Sequence, residues 1–524
     1  MSFYKKAGEI LKKLELRKGT IKSLILAEDV PATDKKRMLA LVCESLKYKE
    51  VIEDIVRNAQ VSIKQVPPSV LVVLVYDLLF GRGIGAGGTF KPLVMKHKTR
   101  LQAELAKIKI KRKVKDNTNL IPEHIRNAVV LPRYVRVNTL KASVDNVIAE
   151  FVKNGFALEK AKPSSGLLRS NTLCQDEHIP EILLLPSNID LHDNKLLENG
   201  SIIIQDKASC FPAFVLNPPK GCEVIDACAA PGNKTSHLSA IMQNTGKIRA
   251  FDMDKRRLQT LIKLSGRAGC KNIEPILGSF LDADPTDPQF KNVEYILLDP
   301  SCSGSGIVGR MDHLLVTTAD LESEEVEEAD SARVASLAEF QKTVLLHAFR
   351  FPAVKRVVYS TCSKHREENE DVVAAVLAAQ SDFGLASEVF PTWERRGLQI
   401  VEGGKLHLTS LFILFYLARI IVHAFYFLLS AHNLIRTDPS QDHVIGFFVA
   451  LFERKPARLA AAAPAGTKRK PDSQLETEVA PLKKKKKGKK TKKKKKSAAS
   501  LQDQEHGALE IDDGGSGDSG DDAE

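Results

Sequence analysis

The sequence predicts an α/β chain in which a Rossmann-like, doubly wound domain follows a smaller α/β unit and an all-helical N-terminal region. Three observations carry this expectation. From Gly221 onward, short runs of β-branched and aromatic residues alternate with segments of helical periodicity, the pattern of a parallel sheet covered on both faces. Two of these runs end in cysteine-bearing loops, Tyr295-Ile-Leu-Leu-Asp299-Pro-Ser-Cys302-Ser-Gly and Arg356-Val-Val-Tyr-Ser-Thr-Cys362-Ser, and open sheets place their sites where parallel strands end. A loop of small residues, Asp226-Ala-Cys-Ala-Ala-Pro-Gly232-Asn-Lys234-Thr235, follows the first strand of the series.

Residues 1–125 read as a helical domain, with apolar residues at helical spacing over Tyr4 to Leu16, Ala32 to Leu46, Lys49 to Asn58 and Ser69 to Leu79. A glycine-rich loop from Gly81 interrupts them. Lys91 to Lys113 follows as a helix dense in cations, among them Lys96, Lys98, Arg100, Lys107, Lys109, Lys111, Arg112 and Lys113. Such a run is either a solvated face or a contact for an RNA backbone; its near lack of acidic residues favours RNA. Residues 126–205 read as a small α/β subdomain, with a strand from Arg133, a helix over Val144 to Asn154, and later pieces at Asp176 to Ser187 and from Ser201.

Residues 206–455 hold the doubly wound domain. Its expected strands are Glu223 to Asp226, Lys247 to Asp252, Ile273 to Leu277, Tyr295 to Asp299, Arg356 to Ser360 and a last buried one over Val444 to Phe452. The intervening helices are expected at Lys234 to Met242, Lys255 to Ala268, Leu337 to Phe349 and Asn369 to Ala379. The acidic, turn-prone segment from Val308 to Ala332 reads as a mobile insertion. Residues 456–524 lose core-forming residues and pass through polylysine, Lys483 to Lys496, into an acidic end; a segment of this composition buries too little surface to fold.

The chain has 524 residues, 43% of them hydrophobic, enough for sizeable cores. Its 77 Lys and Arg against 65 Asp and Glu give a net charge of +12, which favours a polyanionic partner over an acidic metabolite, although the lysine tail supplies most of the excess. The 8 cysteines lack zinc-ligand spacing and the N-terminus lacks a signal-peptide core, so no metal and reduced thiols are expected. One stretch disturbs the picture: Leu411 to Ala431 is apolar, long enough to cross a bilayer and broken only by Arg419 and His423. It reads as a gene-model artefact, an extra buried hairpin or a membrane span; a span would sever the last strand from its sheet, so no membrane partner is expected.

The small-residue loop lets backbone approach a ligand and aims the amides of a helix start at it. It lacks the glycine pattern of dinucleotide folds and of P-loops. The next strand ends in Asp252, placed to accept the hydrogen bonds of a ribose diol, with Asp254 the weaker candidate. The combination describes a pocket for a nucleoside-bearing cofactor without a pyrophosphate. S-adenosylmethionine is the leading choice and a loop that binds nothing the alternative.

In this order, the loop from Asp226, Asp299-Pro-Ser-Cys302-Ser-Gly-Ser-Gly and Ser360-Thr-Cys362-Ser resemble the Nop/Sun (RsmB-like) family of RNA cytosine-5 methyltransferases. Arg133-Tyr-Val-Arg-Val-Asn138-Thr139 and Gln205-Asp206-Lys-Ala-Ser209 look like two signatures of that family's RNA-binding subdomain. The resemblance covers about 130 to 395 and resumes at about 435 to 453, and the helical N-terminus, the glycine-rich loop and the Asn-Lys-Thr variant look most like the fifth Sun-domain member. It implies a class I S-adenosylmethionine-dependent fold, methylation of C5 of a cytidine in large-subunit (25S/28S) ribosomal RNA during ribosome biogenesis, a nucleolar location, the pre-ribosomal large subunit as partner, no DNA substrate and a monomer. The alternatives are an rRNA-binding assembly factor with a degenerate site and a methyltransferase of tRNA or other RNA.

By the same resemblance Cys362 is the nucleophile, Cys302 assists release of the product and Asp299 holds the pyrimidine edge; DNA cytosine-5 methyltransferases use the Pro-Cys cysteine instead, so the two thiol roles could be inverted. Cys228, Ala229, Ala230, Pro231, Gly232, Asn233 and Lys234 would form the loop around the methionine and sugar of the cofactor, with Asp252 on its ribose and Asp299 among its further contacts. Ser279 stands where the family places an aspartate beside the adenine. The other six cysteines, Cys43, Cys174, Cys210, Cys222, Cys228 and Cys270, each taken alone read as small buried hydrophobes.

Overall fold

The computed structural model describes residues 3–16, 18–28, 30–85, 88–127, 129–160, 167–308, 314–315, 324–398 and 431–456. Seven helices open it: α1 (Phe3–Glu15), α2 (Ile21–Ala27), α3 (Ala32–Lys47), α4 (Lys49–Asn58), α5 (Pro68–Leu79), α6 (Phe90–Met95) and α7 (Lys98–Lys111). Their apolar stripes close on one cluster that includes Ile10, Val42, Ile52, Val73 and Leu101. The cation-rich segment expected as one helix is two, because His97 leaves helical geometry at φ −103, ψ 6 and caps α7. Leu101 and Ile108 turn inward, which leaves most of the lysines outside. A single-turn helix α8 (Glu123–Arg126) leads to the next unit.

That unit is a five-stranded sheet ordered β2-β3-β4-β1-β5, from β1 (Arg133–Val137), β2 (Ala157–Glu159), β3 (Thr172–Gln175), β4 (Ile182–Leu185) and β5 (Ile202–Ile204). Helices α9 (Val144–Lys153) and α10 (Lys195–Glu198) belong to it. Ser143 caps α9 by accepting from the Asn146 amide. The opposite face of β1 and β4 joins Phe211, Trp393 and Leu451 in a cluster shared with the large domain.

Helix α11 (Lys207–Leu216) precedes the larger sheet, whose strands are β6 (Glu223–Asp226), β7 (Lys247–Asp252), β8 (Ile273–Leu277), β9 (Val293–Leu298), β10 (Arg356–Thr361), β11 (Phe383–Leu385), β12 (Ile435–Thr437) and β13 (Phe447–Arg454). Their order is β11-β13-β10-β9-β6-β7-β8, with β12 also on β13. Strands β10, β9, β6, β7 and β8 run parallel, and β13 runs antiparallel to β10. Crossover helices α12 (Asn233–Ile241), α13 (Lys255–Ala268) and α14 (Glu324–Ala348) connect the parallel strands, and α15 (Glu370–Ala379) follows β10. The chain proceeds outward from β6 through β7 to β8, then returns to β9 on the other side. The switch point therefore lies between β6 and β9.

The acidic segment expected as a mobile insertion is helical from Glu324 onward, since carboxylates in a first turn suit the helix dipole. Leu314, 6% exposed, packs into the cluster of the N-terminal helices. The rest of that segment, the apolar run from Leu411 up to residue 430 and the lysine-rich tail lie outside the described residues. Among the described residues no helix is long and apolar enough to cross a membrane. The borders of the apolar run meet: the Gly397 amide donates to the carbonyls of Ala431 and Leu434, both at 3.1 Å.

Candidate active site

The two cysteine loops are brought together by the β9–β10 ladder, in which Leu298 lies opposite Tyr359. One residue further on, the Ser360 hydroxyl donates to Asp299 Oδ1 at 2.8 Å. Beyond these, Cys302 Sγ and Cys362 Sγ lie 3.1 Å apart. Hydrogen bonding to Cys362, then burial, raises the Cys302 thiol far above its ordinary range. The loops are laced by backbone as well: the Gly306 amide donates to Cys362 O at 2.9 Å, and the Gly446 amide, leading into β13, donates to Gly306 O at 2.8 Å. Ser303, Ser305 and Ser363 add a triangle of hydroxyl contacts.

Lys234, from the first turn of α12, reaches across the switch point to Asp299 Oδ2 at 2.7 Å, with its ammonium 5.4 Å from the centroid of the Phe447 ring. Burial opposes its charge, yet the carboxylate of Asp299 outweighs burial and holds the ammonium above its usual range, helped by the charges of Cys362 and Asp226. Lysine, carboxylate and both thiols thus form one electrostatically linked group.

The small-residue loop turns between β6 and α12 at Gly232, where φ is +105 and a side chain would be strained. Asp252, at the end of β7 and 5% exposed, accepts from the Ala230 amide at 3.2 Å through Oδ2 and from the Asp254 amide at 3.0 Å through Oδ1. Oδ1 keeps a second lone pair for a ribose hydroxyl, while Oδ2 also faces Arg257 Nη2 at 3.5 Å. Arg257 closes the corner, donating to Ala230 O at 2.7 Å. Asp254 is spent on capping α13, where it accepts from the Arg256 and Arg257 amides. Ser279 is half-buried and accepts from the Leu281 amide at 3.2 Å. A nucleoside-bearing ligand fits this corner by its small side chains, its helix-start amides and the buried acid Asp252. Among the described residues no group of His, Cys, Asp and Glu is arranged to hold a metal ion.

Of the remaining cysteines, Cys43, Cys174 and Cys210 are buried, whereas Cys222, Cys228 and Cys270 are partly exposed. Burial raises Cys228 and Cys210 to about 12. The two RNA-subdomain signatures are structural. Arg136, 1% exposed, donates to Gln205 Oε1, to Ser236 Oγ and to Asn233 O at 2.9, 2.9 and 3.3 Å. Asn138 donates to the carbonyls of Gly200 and Ala268 at 2.8 and 2.7 Å. Both tie the small sheet to the large domain, beside the small-residue loop and at the end of α13. Glu368 and Gln341, which hold the Cys302 loop from beneath, carry no signal in the sequence. A glutamate within Glu-Glu-Asn-Glu reads as surface, and its burial depends on the crossover bringing α14 over β10.

A class I methyltransferase sheet with a thiol pair at its switch point is the class these features define. Comparison with known proteins narrows it. Residues 36–121 match the NOL1/NOP2/Sun domain family member 5 N-terminal domain, 131–205 that member's ferredoxin-like domain, and 213–453 the 16S rRNA methyltransferase RsmB/F family. The 28S rRNA (cytosine-C(5))-methyltransferase of Mus musculus is 39% identical over 87% of this chain and 91% of its own. The 25S rRNA (cytosine-C(5))-methyltransferase NSUN5 of Arabidopsis thaliana is 40% identical over 83% and 69%, and the rcm1 enzyme of Schizosaccharomyces pombe 39% over 86% and 91%. The crystal structure of PH0851 superposes with a TM-score of 0.53 at 23% identity over 82% of this chain and 93% of that one, which shows the shared fold. The chain belongs to the NOL1/NOP2/Sun family of RNA cytosine-5 methyltransferases, in the branch of its fifth member.

Proposed function

We propose that this protein methylates C5 of a cytidine in large-subunit (25S/28S) ribosomal RNA during ribosome biogenesis, in the nucleolus, through a covalent cysteine intermediate. The observation that carries the reading is the thiol pair, 3.1 Å apart, beside Asp299 and Lys234 at the switch point. The relatives' action on ribosomal RNA supports the substrate. S-adenosylmethionine, held by Cys228 to Lys234, Asp252 and Ser279, would supply the methyl group.

C5 of cytosine is a poor nucleophile, and a thiolate adding at C6 turns the ring into an enamine. Cys362 is the attacking group: its Sγ bonds to C6 while ring electrons move toward N3. The Lys234 ammonium favours the thiolate. Asp299, steadied by Ser360 and Lys234, accepts from the N4 amino group and, when protonated, donates to N3 as charge gathers there. After methylation C5 bears one hydrogen too many. With Cys362 bonded to C6, the hydrogen bond that raises the Cys302 thiol is gone; Cys302 releases its proton to solvent and, as the thiolate, takes the C5 proton, N3 returns its proton to Asp299, the C6–S bond breaks, its electrons return to Cys362, and the ring regains its double bond. The target base must leave its stack to reach the thiols.

Mapping 5-methylcytosine in RNA from cells with and without the protein, and with Cys362→Ala, tests this. One large-subunit rRNA site should lose methylation in both cases. Unchanged rRNA would overturn the substrate assignment, and loss from tRNA instead would redirect it. Cys302→Ala should accumulate a denaturation-resistant RNA–protein adduct; finding the adduct in Cys362→Ala would invert the two roles.

A further inference from the structure

Two fully buried side chains grip the peptide on either side of Cys302. Gln341, in α14, donates through Nε2 to the carbonyl of Ser301 at 3.0 Å and to Glu368 Oε1 at 2.9 Å. Glu368 Oε1 also accepts from the amide of Ser303 at 2.9 Å. Tyr359 of β10 fixes both partners, its hydroxyl lying 3.0 Å from Gln341 Oε1 and 2.5 Å from Glu368 O. All three residues are 0% exposed. The Cys362 side is held by other groups: Asn369 donates to Ser363 O at 3.0 Å, and Gly306 to Cys362 O. Glu368 and Gln341 thus bond directly to the peptide around Cys302, and the Cys362 loop is reached only through the contacts of Gly306 and the serines between the loops.

A carboxylate is an expensive choice here. Glu368 spends Oε1 on two donors, while Oε2 is buried without a hydrogen-bond partner among the described residues. What the side chain gains over an apolar filler is a short and directional hold on the peptide that carries Cys302. Such a hold matters where a sulfur must meet one hydrogen on one face of a ring.

We propose that Glu368, seconded by Gln341, is a positioning residue for product release: it sets where Cys302 stands relative to Cys362 and has little part in the attack. The proposal rests on the reading that Cys302 takes the C5 proton.

The test uses the full chain with large-subunit rRNA from cells lacking the protein, and separates single-turnover methyl transfer, multiple turnover and adduct level. Glu368→Ala should leave single-turnover transfer within about threefold, lower multiple turnover by about tenfold or more and accumulate the covalent adduct, as expected when a reacting group is misplaced by a fraction of an ångström. Glu368→Gln keeps an oxygen for both donors and should restore turnover, which a role as mere filler would not require. In a Cys302→Ala background Glu368→Ala should add nothing to the adduct. Should Glu368→Ala fail to fold, Gln341→Met removes the bonds to Ser301 O, Glu368 and the Tyr359 hydroxyl but leaves the Ser303 amide on Glu368, and should show the same split more weakly. Equal loss of single and multiple turnover without adduct overturns the proposal. If Cys302→Ala itself yields no adduct, the release reading falls and takes the proposal with it; if it does and Glu368→Ala does not, only the positioning role falls.

Discussion

Asp226 sits beneath the small-residue loop, 1% exposed, accepting from Thr235 Oγ at 2.7 Å through Oδ2 while Oδ1 has no partner among the described residues. Burial lifts its carboxyl to about 7, with Asp299 adding to the rise. The unfolded chain, with an ordinary value of about 3.9, releases this proton first as pH rises. The group's contribution to stability is therefore complete below about pH 4 and is lost progressively up to about pH 7. Asp226→Asn removes that loss: relative to the parent, it should gain on the order of 2 kcal/mol between pH 5.5 and pH 8, read from urea midpoints. Lys207 poses the opposite case. Its ammonium lies 2.6 Å from Asp176 Oδ2, both side chains 2% exposed, with His178 Nδ1 at 2.9 Å and the Trp393 ring centroid at 5.2 Å. Because Lys207 donates to Nδ1, the proton of neutral His178 sits on Nε2 and serves Thr392 O at 3.1 Å. Lys207→Met strands a buried carboxylate and should cost about 3–5 kcal/mol in the same measurement. Neither role is visible in the chain alone. Asp226 reads as the end of a strand and Lys207 as part of a family signature; the start of α12 encloses the first, and the packing of α11 against β1 makes the second interior.

Among the elements, the meeting of the two cysteine loops with the entry to β13 sets the tightest demand. A Cβ on Gly306 would lie 2.0 Å from the Gly446 carbonyl oxygen and 2.9 Å from that of Cys362. Gly306→Ala should lower stability by about 1–3 kcal/mol, the usual range for overpacking, and lower methyl transfer by more than that loss of folded protein explains; thermal unfolding beside single-turnover assays checks both. The strands and crossover helices were largely legible because period and length agree: β6, β7, β8 and α13 begin and end where hydrophobic runs and capping residues mark them. Strands β2, β11 and β12 were not, since three residues are too few to show a period and each depends on a neighbouring strand for its existence. The break between α6 and α7 escaped for another reason: lysines favour helix throughout, and the bend is set by which apolar residues reach the core.

At the scale of the whole molecule, both thiols, Asp299 and the small-residue loop stand at the strand ends that the hydrophobic runs mark in the sequence. It could not say how residues 397 and 431 relate. Their hydrogen-bonded approach means that the intervening chain leaves and re-enters at one place. Replacing 399–430 with a short glycine-serine linker should therefore leave the unfolding midpoint within about 1 kcal/mol and methyl transfer unchanged, since closure entropy varies slowly with loop length. A large loss in either would show that the apolar run is part of the working fold. The β9–β10 register acts as a ruler of a different kind. Each residue along a strand advances about 3.3 Å and changes face. Asp299 and Ser360 meet because each stands one residue past the paired Leu298 and Tyr359, and the sulfurs meet because each loop then runs a fixed count beyond. Descendants of this gene can drift by substitution along both strands, but a codon gained or lost between Val293 and Gly306, or between Arg356 and Ser363, would part the thiols at a stroke. Length change in this lineage should accumulate at the 397–431 crossing and be absent from those two short intervals.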